Sequence, residues 1–173
     1  MSAPVAYFIT FTTYGTWLHG RNPGSVDREH NTPGTPFLPG DENRELESQS
    51  RLGQPPYALD EPHRNVVMRT IVAVCAHRKW KLWAVHVRSN HVHVVVTADC
   101  NPEKVMVDLK AWASRRLRKV FSEPADRDRW TQHGSTRYLN SISDLEAKVI
   151  YVLDEQGERM AHFDGRVINE PEA

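Results

Sequence analysis

The chain has 173 residues, enough for one domain with a sizeable core. Its 22 Lys+Arg balance 22 Asp+Glu, which excludes bulk attraction to nucleic acid and leaves only local basic patches for such contact. The two cysteines, Cys75 and Cys100, form no CxxC pair, residues 1–14 lack a secretory leader pattern, and no apolar run reaches bilayer length. These features predict a cytoplasmic chain with no disulfide framework and no membrane partner.

Val5 to Tyr14 is aromatic and β-branched and predicts a strand. Residues 15–59 are rich in glycine and proline, which argues against long regular elements. They read as an irregular insertion, with a short polar helix expected over Asp41 to Leu52. Asp60 can cap a helix that tolerates Pro62 in its first turn, and Val67, Ile71, Val74 and Cys75 recur at helical spacing to about Lys79. Trp80 to Val87 alternates as a strand does, and Arg88-Ser89-Asn90 is short enough to turn into a second strand, His91 to Thr97. Asn101-Pro102 opens a second helix striped by Val105, Leu109, Trp112, Ala113, Leu117 and Val120. Trp130 to Leu139 reads as an extended piece with a turn at His133-Gly134. Ser143 or Asp144 caps a last helix to about Gln156, where Gly157 stops it, and 158–173 reads as a loose tail.

With the insertion and last helix set aside, the order is βαββαβ. The expected fold is therefore α+β, a ferredoxin-like or RRM-like sandwich in a single domain over 1–173. Its central strands are those from Val5 and His91, and an extra C-terminal helix carries Tyr151.

Strand side chains alternate, so His91 and His93 share a face while Val92, Val94 and Val96 point into the core. Two imidazoles on a rigid strand can reach one metal ion or one phosphate. On the last helix Ile142, Leu145, Val149, Val152 and Leu153 form the packing stripe, and Tyr151 projects roughly opposite it. Glu155 follows Tyr151 by one turn on the same projection and is the favoured third ligand, with Gln156, nearer the core stripe, as the alternative. Two neutral imidazoles and one oxygen donor suit Mg²⁺ or Mn²⁺. Such a cation can polarise a phosphate for attack by a tyrosine hydroxyl.

The chain resembles the single-tyrosine HUH endonucleases, in particular the small IS200-like insertion-sequence transposases and the REP-associated tyrosine transposases. The likeness rests on Thr13-Tyr14-Gly15-Thr16-Trp17, the NHVHVVV strand, Leu109 to Ser114, the HGSTRYL segment and Tyr151 to Gln156. His91-Val92-His93 matches the HUH motif and Tyr151 the nucleophile. The resemblance implies a DNA-nicking and strand-transferring enzyme that uses Mg²⁺ or Mn²⁺ and a 5′-phosphotyrosine intermediate. It also implies single-stranded or hairpin DNA as partner, and it leans towards a homodimer, since members complete the site in cis or across two subunits. The chain departs from the pattern in two places. Glu155 stands where an amide is common, with Gln156 next door, and the insertion is longer than in the smallest members.

Lys110, Arg115, Arg116, Arg118 and Lys119 form a basic run without acids, of which Lys110, Arg115 and Arg118 are candidate contacts to DNA phosphates. Trp17, Tyr14 and Trp130 can stack on unpaired bases. The competing reading is a catalytically inactive DNA- or RNA-binding protein on the same fold. A histidine-triad hydrolase is disfavoured because Val95 occupies the place of its third alternating histidine.

Overall fold

Alternation of apolar and polar residues with abundant valine makes 81–97 a natural hairpin, and the rest of the sheet is built outward from it. In a computed structural model, which describes residues 3–16 and 53–166, eight elements follow one another. They are β1 (Ala6–Thr12), α1 (Glu61–Arg78), β2 (Lys81–Val87), β3 (His91–Thr97), α2 (Pro102–Phe121), β4 (Ser135–Leu139), α3 (Ile142–Asp154) and β5 (Ala161–Asp164). The five strands form one antiparallel sheet in the order β4-β1-β3-β2-β5. As expected, β1 and β3 adjoin at its centre. Among the described residues no helix is long and apolar enough to cross a membrane.

The helix starts follow their caps. Asp60 accepts from the His63 amide and Asn101 from the Lys104 amide, each with a proline in the first turn. α3 begins earlier than the sequence suggests: Ser141 is its cap, accepting from the Asp144 amide. It also ends earlier, at Asp154, leaving Glu155 as its C-terminal cap.

The two faces of the sheet are covered unequally. On one, Ile9, Phe11, Val92, Val94 and Val96 pack under α1 and α2 through Val67, Ile71, Val105, Leu109 and Leu117. Each fully buried aliphatic side chain there contributes roughly 2 kcal/mol of transfer free energy. On the other, α3 lies alone, its Leu145, Val149, Val152 and Leu153 packed against Ala6, Phe8, Ala84 and Val95. Ile142, expected in that stripe, is 60 % exposed because it sits at the first helical position, beyond the sheet. Among the described residues this single helix covers only part of the face, and the histidines of β3 lie on the same side.

Two expectations for the irregular segments need correction. The 158–173 stretch is not wholly a loose tail, since Ala161–Asp164 pairs with β2 as β5 and half-buried Phe163 packs on the larger core. Four residues give too short a period to be read as a strand. Gly165 ends this strand where the backbone comes close: an added Cβ would meet the Leu82 carbonyl oxygen at 1.9 Å. The end of the 15–59 insertion belongs to the core, with Tyr57 and Leu59 buried. The Tyr57 amide donates to Tyr14 O at 2.8 Å, so the chain leaves β1 and rejoins the fold at one place. Trp17 and the short helix expected over 41–52 lie outside the described residues.

His86 on β2 is fully buried and spends both ring nitrogens on the chain around the end of α3. Its Nδ1 donates to Val152 O at 2.9 Å, and its Nε2 accepts from the Met160 amide at 2.9 Å. His86 is thus a packed strand histidine with a task, tying β2 to the end of α3. His86→Ala would strand a carbonyl and an amide and open a cavity. It should destabilise the fold by about 2–4 kcal/mol, measured as a lower urea midpoint with an unchanged slope.

Candidate functional site

The register of the sheet decides what surrounds the histidine pair. Thr10 of β1 and His86 of β2 flank His93 directly, so the three side chains share the α3 face. Thr12 lies opposite His91, and Phe8 opposite Val95 one row further along. The His91 and His93 rings stand 4.7 Å apart between centroids.

Each imidazole is held from behind. His91 Nδ1 donates to Asn90 Oδ1 at 2.7 Å, which makes Nε2 the unprotonated nitrogen with a free lone pair. Asn90 is itself held by its carbonyl, which accepts from the Thr13 amide at 2.9 Å. His93 Nδ1 is 2.8 Å from Thr10 Oγ1, and its ring stacks on Phe8 at 5.5 Å and 29°. Burial pushes the His91 pKa down to about 4, with Arg88 and His86 adding to the effect. Burial, then the neighbouring His91, pushes that of His93 down to about 3. Both rings are therefore neutral near pH 7 and carry lone pairs rather than charge.

Tyr151 comes to this pair from α3 within the same chain. Its ring centroid lies 6.0 Å from that of His93 and 6.1 Å, edge-on, from that of Phe8. The residue is half-buried and packs on the smaller core against Phe8. The helical projection puts it on the side opposite the packing stripe, but its long side chain swings back over the sheet. Lys148, one turn earlier, holds its Nζ 4.8 Å from the Tyr151 ring and 4.6 Å from the Phe8 ring.

Of the two candidate third ligands, Glu155 is exposed and caps the helix, its amide donating to Tyr151 O at 3.3 Å. Gln156, which follows it, is half-buried. Its amide nitrogen donates to Tyr151 O at 3.3 Å, and its side chain comes close enough to the His93 ring to favour the ring's protonated form. Among the described residues no three His, Cys, Asp or Glu side chains cluster closely enough to hold a metal ion. Gln156 thus brings an amide to the His93 side of the pair. Two neutral nitrogens and one amide oxygen are a donor set that fits a divalent first-row cation, and the hydrogen bond behind His91 is the usual support for such a ligand.

The candidate DNA contacts lie elsewhere. Lys110 is half-buried, its Nζ donating to Thr131 O at 2.9 Å and His133 O at 2.5 Å, and burial pushes its pKa down to about 8. That ammonium anchors the turn before β4. Arg115 stacks on Trp112 at 5.1 Å and lines a groove of about 810 Å³ between α1 and α2, together with Arg69, Arg116 and Lys119. Arg118 lies beside it, across from Ser122. These arginines belong to the helices on the face opposite α3. Tyr14 is half-buried against the larger core, and Trp130 packs edge-on to Phe11 at 5.0 Å while its Nε1 donates to Ser114 Oγ at 3.0 Å. Sequence reasoning missed Phe8, Thr10 and Lys148. Only the last left a readable signal, a lysine three residues before the tyrosine on one helix.

The family model described as "Transposase IS200 like" matches residues 57–149, more than half of the chain. The chain belongs to the IS200-like transposase family. The matched stretch includes His91 and His93 and stops two residues before Tyr151. The chain is also similar to a solved structure described as a REP-associated tyrosine transposase bound to a REP hairpin. The two are 11 % identical, with a TM-score of 0.48 over 90 % of this chain and 67 % of that one. No curated protein matches the sequence.

In this family member, ¹⁵N spectra sensitive to tautomer should find His91 protonated on Nδ1 and both imidazoles neutral at pH 7. Protonation should begin only as the pH falls towards about 4. A His91 proton on Nε2 would contradict the arrangement.

Proposed function

We propose that this chain is a metal-dependent single-strand DNA endonuclease and transposase that cleaves and rejoins hairpin or repeat-associated ends through a covalent tyrosine intermediate. The observation that carries the reading is the 6.0 Å separation of the Tyr151 and His93 rings within one chain. The phenol and both neutral imidazoles share one face of the ferredoxin-like sandwich. That intrachain proximity favours a site completed in cis, with any homodimer joined for other reasons.

In this reading His91, His93 and Gln156 hold Mg²⁺ or Mn²⁺, with Glu155 the weaker third ligand because it is exposed past the helix end. When bound, the cation supplies Lewis-acid polarisation of the scissile phosphate. The remaining work falls to the protein. Asn90 and Thr10 fix the two rings, and His86 keeps the tyrosine helix at a set distance. The Tyr151 hydroxyl oxygen forms a bond to phosphorus as the P–O3′ bond breaks. The phenol proton passes through solvent to the departing 3′ oxygen, leaving a 5′-phosphotyrosine and a free 3′-OH. The reverse reaction rejoins a strand, and the bond to tyrosine conserves the phosphodiester energy meanwhile.

Arg115 and Arg118 are the proposed contacts to the DNA backbone, and Tyr14 and Trp17 the proposed stacking surfaces for unpaired bases. Lys110 is set aside from that role, since its ammonium already serves two carbonyls.

A panel of hairpin oligonucleotides incubated with Mn²⁺ should give a protein–DNA adduct on a denaturing gel. Tyr151→Phe should abolish the adduct while binding persists, and a chelator should remove it from the wild type. Binding without any adduct would identify the inactive DNA- or RNA-binding protein instead. Gln156→Ala should lower Mn²⁺ affinity by about 10-fold or more, and Glu155→Ala should change it little; the reverse order would restore Glu155 as ligand. Replacing both Arg115 and Arg118 by serine should reduce the slope of log affinity against log salt by about 2.

A further inference from the structure

Lys148 brings a cation to Tyr151 from one turn earlier on the same helix. Its Nζ lies 4.6 Å from the centroid of Phe8 and 4.8 Å from that of Tyr151, the same two rings that border His93. The side chain is half-buried, and among the described residues no carboxylate lies within ion-pair distance of it. A half-buried ammonium faced only by aromatic rings gives up part of its hydration for a weak attraction of about 1 kcal/mol. It keeps its charge available to an anion. The neighbouring strand offers a second cation on the same side: Arg137 of β4 is paired with Phe8 of β1, so it shares the α3 face, and it is exposed. The open face is thus neutral at the imidazoles and cationic on its β4 side.

We propose that Lys148 is a catalytic residue of the transesterification, its ammonium contacting a non-bridging oxygen of the phosphate that Tyr151 attacks. The inference rests on the reading of Tyr151 as nucleophile and adds to it the group that faces the phosphate from the phenol's own helix. Attack on a phosphodiester gathers negative charge on the non-bridging oxygens as the Tyr151 O–P bond forms and the P–O3′ bond breaks. A fixed cation there gains most at the transition state. The i, i+3 spacing makes lysine and phenol move as one body with α3, so the phosphate and its attacker stay aligned.

The test uses the full chain and a hairpin oligonucleotide that the wild type cleaves in Mn²⁺. Lys148→Met keeps the stem over Phe8 and removes the charge. It should slow single-turnover adduct formation by about 10–100-fold, and Lys148→Arg should recover most of the rate. A second measurement separates contact from folding. In the Tyr151→Phe background, replacing the scissile phosphate with a neutral methylphosphonate should weaken binding more when Lys148 is present than in K148M, where only the bound cation still senses the lost charge. An adduct formed by K148M at the wild-type rate overturns the proposal alone, as does an equal methylphosphonate penalty with and without the lysine. A wild-type chain that forms no adduct with any oligonucleotide overturns the nucleophile reading, and this inference with it.

Discussion

A buried imidazole that uses both of its ring nitrogens sets where everything else on the open face can stand. His86 takes the Val152 carbonyl on one side and the Met160 amide on the other, so the last turn of α3 and the segment after it are tied to β2. Among the described residues only one helix covers this face, and its apolar contacts alone would let it slide along the sheet. Two directional bonds at its C-terminal end remove that freedom. Tyr151 sits one residue before the bonded carbonyl, and Gln156 lies between the two tethered points. Burial holds the His86 pKa down, with the Val152 carbonyl opposing, so the ring stays neutral and able both to donate and to accept.

The histidine pair obeys the same economy. Burial keeps both rings uncharged, and the strand keeps them parallel in direction. Charge is kept out of the centre of this face and placed at its margin, on Lys148 and Arg137. A site meant to receive an anion and a cation together gains from that division. Neutral nitrogen donors do not repel a metal ion, and the peripheral cations can meet the phosphate. The strongly basic surface lies on the helices of the other face, where Arg69, Arg115, Arg116 and Lys119 line the groove between α1 and α2.

Much of this arrangement was legible in the sequence because it follows from short-range rules. The β2–β3 hairpin, the proline-started helices after Asp60 and Asn101, the shared face of His91 and His93, and the central place of β1 and β3 all come from local periodicity and connection order. What escaped depends on pairing between distant segments. Thr10 supports His93 only because of the β1–β3 register, which no local pattern encodes. Lys110 reads as one of a basic run, yet it is spent on carbonyls more than twenty residues away. The end of α3 was legible only approximately. Its final residues carry a helical pattern to Gln156, but the helix stops at Asp154, with Glu155 exposed as its cap and the half-buried Gln156 bonded to the Tyr151 carbonyl.

The hydrogen bond from the Tyr57 amide to the Tyr14 carbonyl has a consequence for how this architecture can vary. Because the strand's exit and the helix's approach meet at this bond, the two ends of the intervening stretch are held together whatever its length. The entropic cost of closing such a loop grows with the logarithm of its length, by about 0.6 kcal/mol for each doubling. A change in the length of that stretch therefore carries little thermodynamic penalty for the sheet it interrupts.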